Sequence, residues 1–130
     1  MPLLRFDVNA GRSPEELRVL LDSAQSAVVE AFGVPETDRY QVVTQHGPNE
    51  LVALDTGLGI ERSERLVIIQ VVSKKRPDDA KQDLFRLLAR NLERDCDLSP
   101  DDLVVTITDN GDADWSLGRG TAQFVTGELP

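Results

Sequence analysis

Residues 65–96 read RLVIIQVVSKKRPDDAKQDLFRLLARNLERDC. The first part, RLVIIQVVS, is a continuous apolar run of strand length, the pattern of a strand buried on both faces of a sheet. Pro77 follows four residues after Ser73. Beyond it Leu84, Leu87, Leu88 and Leu92 recur at helical spacing, which predicts a helix with one apolar face starting near Pro77. Residues 101–109, DDLVVTITD, then read as a closing strand. The order strand, helix, strand predicts two parallel strands joined by a right-handed crossover.

The N-terminal half carries the same order. In LLRFDV, Leu4, Phe6 and Val8 alternate with Leu3, Arg5 and Asp7, a strand pattern. SPEE follows, with Ser13 placed as N-cap, Pro14 at the first helical position and Glu16 closing a capping box. Leu17, Leu20, Leu21, Ala24, Ala27, Val28 and Ala31 extend the helix to about Phe32, and Gly33 stops it. RYQVVTQ supplies the second strand. The helix prolines, Pro14 and Pro77, lie 63 residues apart, and GVPETDRYQVV aligns with CDLSPDDLVVTI once one residue is inserted, pairing Asp38 with Asp102. The expectation is a single α+β domain over residues 1–130, a two-layer α/β arrangement. It is built from two tandem β-α-β units, about 2–46 and 65–109, with a C-terminal hairpin arm. Such units give a four-stranded mixed sheet with two helices on one face.

Bulk properties restrict the function classes. The 130 residues suffice for one modest core. A net charge of −9 argues against nucleic acid or an anionic membrane as partner, because both demand surplus Lys and Arg. Cys96 is the only cysteine, which excludes an intrachain disulfide and a cysteine-based zinc site; no metal and no cofactor is expected. No apolar run reaches the roughly 20 residues that span a bilayer, and no basic leader precedes the first strand. The expected setting is the reducing cytoplasm.

The segments HGPNELVALDTGLGIERSE and NGDADWSLGRGTAQFVTGELP are rich in Gly, Asp and Asn and read as loops or short hairpins. DTGLG contains Gly-X-Gly but does not join a strand to a helix in the dinucleotide pattern, so nucleotide binding is rejected. The free sheet face and these arms call for a covering partner, and an oligomer is expected.

The residue behind Met1 carries the chemical question. Proline lacks a backbone N–H inside a chain. Exposed by loss of Met1, Pro2 would instead present a secondary amine able to act as acid, base or nucleophile. The plainer reading is a small residue that merely permits Met removal.

With DRYQ, DTGLG, LERDC, SPDD and DADWSLGRG, the duplicated unit and Pro2 at the head of a strand, the chain resembles the tautomerase superfamily over nearly its whole length. Within it, the resemblance is strongest to the malonate semialdehyde decarboxylase family. That resemblance implies a homotrimer with the mature N-terminal proline in each active site and a small carboxylate as substrate. It makes Pro2 the catalytic amine and Asp38 its acidic partner. The family carries Ser-Arg-Pro-Arg after its third long strand, where this chain has SKKR; Arg76 matches the second arginine and Lys74 stands at the first. A guanidinium grips a carboxylate by two parallel hydrogen bonds, whereas an ammonium is a flexible point charge.

The chemistry is consistent with those positions. Lys74 and Arg76, on alternate positions past a strand end, hold a carboxylate, while Pro2 faces the carbonyl. Electrons released by C–C cleavage move to the carbonyl oxygen, where a cation stabilises the enolate. Alternatively, neutral Pro2 condenses with the aldehyde to an iminium that takes up the electrons. A free terminal amine titrates near about 8, and Asp38 alongside favours its charged form. The leading expectation is therefore a cofactor-independent decarboxylase, a carbon–carbon lyase acting on malonate semialdehyde or a related 3-oxo acid. Lys74 keeps open a tautomerase or hydratase of 2-oxo or unsaturated acids, and a non-catalytic trimeric binding protein is the third reading. Trp115 and Phe124 are placed either as an apolar wall against substrate or as core and interface packing. Asp38 also suits a turn, SKKR a solvated loop, and Arg119 either a turn or an anion contact. His46 reads as a surface or strand-end residue, and Cys96 as a buried thiol.

Overall fold

The computed structural model describes all 130 residues. Strands β1 (Leu3–Asn9), β2 (Tyr40–His46), β3 (Val67–Lys74) and β4 (Leu103–Asn110) alternate with helices α1 (Pro14–Phe32) and α2 (Asp78–Cys96). A short helix α3 (Gln123–Thr126) closes the chain. The sheet order is β2-β1-β3-β4. β1 runs parallel to β2, β3 runs parallel to β4, and β1 meets β3 antiparallel. The two β-α-β units and the mixed four-stranded sheet are thus as read from the sequence.

Local chemistry explains the helix ends. In α1 the Glu16 amide donates to Ser13 Oγ at 3.1 Å and the Ser13 amide donates to Glu16 Oε1 at 3.0 Å. The box thereby satisfies two of the N–H donors at the start of the helix. Gly33 ends the helix at φ 64°, a left-handed conformation that costs glycine little. Helix α2 starts after Pro77 with no side-chain cap and ends at Asp97, also left-handed at φ 53°.

Leu4, Phe6 and Val8 of β1 and Val67, Ile69 and Val71 of β3 face the helices. They pack against Leu20, Ala24, Ala27 and Val28 of α1 and Leu84, Leu87, Leu88 and Leu92 of α2. Full burial of one such side chain stabilises by about 1.5–3 kcal/mol. β3 departs from the two-sided burial expected of it. Gln70 is exposed and Ile68 and Val72 are half-buried, because both helices cover the same face. The other face leaves Tyr40 and Val42 of β2 exposed.

The C-terminal arm is not a hairpin. After Asn110 the chain makes a 3-10 turn over Asp112–Asp114 and then α3, with no strand. The physical reason lies in local polar closure: the Gly111 amide donates to Asp114 Oδ2 at 2.8 Å, and Gln123 is tied to Leu117 and Gly118. These contacts take up backbone groups that a strand ladder would need. No helix is long and apolar enough to cross a membrane.

Candidate active site

Register builds the site. β1 lies between its parallel neighbour β2 and its antiparallel neighbour β3, with Leu3 opposite both Tyr40 and Val72. The start of β1 therefore meets the start of β2 and the end of β3. That single edge brings together the chain's amine, Asp38 ahead of β2, and Lys74 and Arg76 beyond β3. A cavity of about 350 Å³ opens there, and its lining includes Met1, Asp38, Lys74, Arg76 and Phe124. Pro2 is buried directly behind Met1.

The two cations and the Asp38 backbone are held by their surroundings. Arg76 donates from Nε to Ser73 Oγ at 3.2 Å and from Nη1 to the Phe32 carbonyl at 3.4 Å. Its guanidinium lies over the Phe32 ring, 4.8 Å from the centroid. Lys74 Nζ sits 3.8 Å from the Phe124 ring centroid and 3.0 Å from Asp112 Oδ1. Gln25, buried on α1, donates to the backbone carbonyls of Glu36 and Asp38, 3.3 Å from each. It pins the loop that carries Asp38, while the Asp38 amide closes a turn on the Pro35 carbonyl at 2.9 Å.

The α-amine, borne by Met1, is held below its ordinary value near 8. Burial is the largest cause, followed by Arg76; Asp38 opposes them, and Lys74 adds a smaller push downward. Asp38 does favour the charged form, as the sequence suggested, but desolvation and the cations outweigh it.

The remaining sequence candidates fall outside this cavity. Trp115 is not among the lining residues; its indole Nε1 donates to Asn110 Oδ1 at 2.7 Å. Arg119 is exposed at φ 62° between two glycines. His46 pairs with Asp7 at 2.7 Å, at the end of the sheet opposite the cavity. Cys96, the last residue of α2, is half-buried against the core, and burial raises its thiol pKa. In DTGLG the Asp55 carboxylate accepts from the amides of Gly57 and Gly59 at 3.3 and 3.1 Å, closing the loop on itself.

Four contributors escaped the sequence reading: Phe32, Gln25, Ser73 and Asp112. Gln25 did leave a trace, a polar residue on the apolar stripe between Ala24 and Ala27. Phe32 was read only as the end of the first helix, and Ser73 and Asp112 only as members of SKKR and DADWSLGRG, with no role of their own.

Two family profiles, each describing a tautomerase enzyme, match residues 2–61 and 38–118. The chain is 52% identical to the probable tautomerase YrdN of Bacillus subtilis (strain 168), over 99% of this chain and 100% of that relative. It is similar to a solved malonate semialdehyde decarboxylase, studied for decarboxylase and hydratase activities, at 51% identity and TM-score 0.97. That match covers 98% of this chain and 99% of the other. The FG41 malonate semialdehyde decarboxylase, solved inhibited by 3-bromopropiolate, matches at 39% identity and TM-score 0.94, over 98% of this chain and 97% of that one.

Proposed function

Because the chain belongs to the tautomerase family, we propose that its cavity is the active site of a cofactor-independent decarboxylase of malonate semialdehyde or a closely related 3-oxo acid. One observation carries the reading: an amine, a carboxylate and two cations line one cavity in a chain 51% identical to a malonate semialdehyde decarboxylase. Loss of Met1 hands the amine to Pro2. Arg76 and Lys74 hold the substrate carboxylate, Phe124 forms an apolar wall, and Trp115 has no contact with substrate in this reading.

Two routes use these groups. In the first, protonated Pro2 faces the carbonyl oxygen. The carboxylate leaves as CO₂, its bonding pair becomes an enolate, and a proton delivered to carbon yields acetaldehyde. In the second, neutral Pro2 attacks the aldehyde carbon and water leaves, forming an iminium. That iminium accepts the electron pair as CO₂ departs, and protonation and hydrolysis of the enamine return Pro2 and acetaldehyde. Around the Met1 amine, burial and Arg76 favour the neutral form and Asp38 the cation. Borohydride trapping separates the routes: a stable adduct on the N-terminal peptide marks the second. A homotrimer covering the exposed face around Tyr40 and Val42 completes the proposal, as does a cytoplasmic setting, which suits the single free cysteine.

The test is purified protein with malonate semialdehyde, preceded by intact mass to verify Met1 removal. Acetaldehyde forming no faster than in buffer overturns the reading. A tautomerase or hydratase of 2-oxo or unsaturated acids is the second reading, favoured by Lys74 where the family carries arginine. Parallel kinetics with phenylpyruvate and an acetylenic 2-oxo acid rank the two. A retained Met1 points instead to a trimer that binds without turnover.

A further inference from the structure

We propose that Asp112 is a positioning residue for Lys74, supplying from outside the cavity the orientation that an ammonium lacks by itself. This rests on the reading of Lys74 as a holder of substrate carboxylate. The Lys74 ammonium is 3.0 Å from Asp112 Oδ1 and 3.8 Å from the centre of the Phe124 ring. Lys74 and Phe124 line the cavity, and Asp112 does not. Asp112 therefore engages Lys74 without itself lining the cavity. An ammonium has three N–H donors; one is directed to Asp112, which leaves donors for a carboxylate in the cavity. Four flexible methylenes would otherwise let the charge wander.

The turn carrying Asp112 is built to present it. Lys74 pairs with Asn110 across β3 and β4, so Asp112 follows two residues later. Asn110 Oδ1 is held by Trp115, and the Gly111 amide by Asp114. Trp115 thus braces the turn instead of touching the cavity. Asp112 itself is largely exposed, at 61% of its side-chain surface, so replacing it removes little packing.

The test has two parts. In ligand-free protein, nitrogen-15 relaxation of the Lys74 ammonium should report a restricted group, and Asp112→Asn should loosen it. An ammonium equally mobile in both proteins overturns the proposal, whatever the enzyme's substrate. In the second part, Asp112→Asn is measured with Lys74, with Lys74→Arg and with Lys74→Met. A loss of about tenfold in kcat/KM is expected with Lys74. Less than about twofold is expected with Lys74→Arg, whose rigid fork needs less guidance, and no change with Lys74→Met. Equal losses in all three backgrounds mean a merely structural role and overturn the proposal. So does a gain with Lys74, which would make Asp112 a competitor of the substrate. A restricted Lys74 without turnover of any oxo acid sinks the functional reading and leaves the positioning intact.

Discussion

The two β-α-β units share one architecture and spend it differently. At the entry of α1, the residue ahead of Pro14 is Ser13, whose hydroxyl caps the helix. In the second unit the N-cap is Pro77 itself, which has no side-chain donor or acceptor to cap α2, and Arg76 just ahead of it lines the cavity. The same contrast appears ahead of the second strand of each unit. Asp102 is buried and accepts from the Ser63 amide at 2.6 Å and the Ser63 hydroxyl at 2.5 Å. Its repeat partner, Asp38, lines the cavity. Of the two aligned acids, one is thus tied into the fold and the other faces the cavity.

Exchanging the roles tests this most sharply. Arg76→Ala should lower kcat/KM by about 100-fold while leaving thermal unfolding close to wild type. Ser13→Ala should do the reverse, lowering stability by about 1 kcal/mol with the activity of folded protein unchanged. Steady-state kinetics beside thermal melts decide it; equal loss of stability in both variants breaks the comparison.

The carboxylates come next. Asp38→Asn should cut turnover by about tenfold or more and melt like wild type. Asp102→Asn keeps the shape but sets an amide N–H₂ against the Ser63 donors, a cost of about 1–3 kcal/mol in denaturant unfolding with little change in kcat.

Much of this division was legible in the sequence because it rests on local chemistry. The Pro14 and Pro77 offset, the Ser13–Glu16 box and the Leu84–Leu92 stripe each specify an element from neighbours a few residues away. Pro2, Asp38, Lys74 and Arg76 were singled out through the family resemblance, and the strand register brings their positions to one end of the sheet. The C-terminal arm was misread because Gly and Asp mark a turn without saying whether a strand or a helical turn follows. Asp114 and Gln123 decide that through hydrogen bonds to Gly111, Leu117 and Gly118. Trp115, read either as pocket wall or as packing, has its indole held by Asn110. Asp112 was silent since its partner, Lys74, lies far away in sequence and close only through the β3–β4 register.

The helix exits give a smaller contrast. Gly33 and Asp97 both adopt positive φ, at 64° and 53°. Gly33→Ala meets no atom within 4 Å of its new Cβ, so its cost is backbone strain alone, about 1 kcal/mol. Asp97→Gly relieves such strain but loosens the unfolded chain, so the gain should stay below about 0.5 kcal/mol. Chemical denaturation of both variants measures the difference; a larger gain at Asp97 than loss at Gly33 contradicts it.

The last effect concerns one of the polar contacts between α1 and α2. Ser23 of α1 donates to Asp95 Oδ2 of α2 at 2.8 Å, and Arg94 grips the same carboxylate at 2.8 and 3.0 Å. These bonds, with Arg94 first, lower the Asp95 pKa to about 2. An unfolded aspartate titrates near about 3.9, so the stabilisation is complete above that pH and fades as pH falls toward about 2. The Asp95 carboxylate lies near solvent, which screens the pair and keeps its share below about 1 kcal/mol. Asp95→Asn should therefore lower stability slightly at neutral pH and converge with wild type by pH 2. Urea melts across that range check it. A gap that widens on acidification would mean that Asp95 is held by something other than its charge, leaving Arg90–Glu30 and Asn91–Ser23 as the polar ties between the two helices.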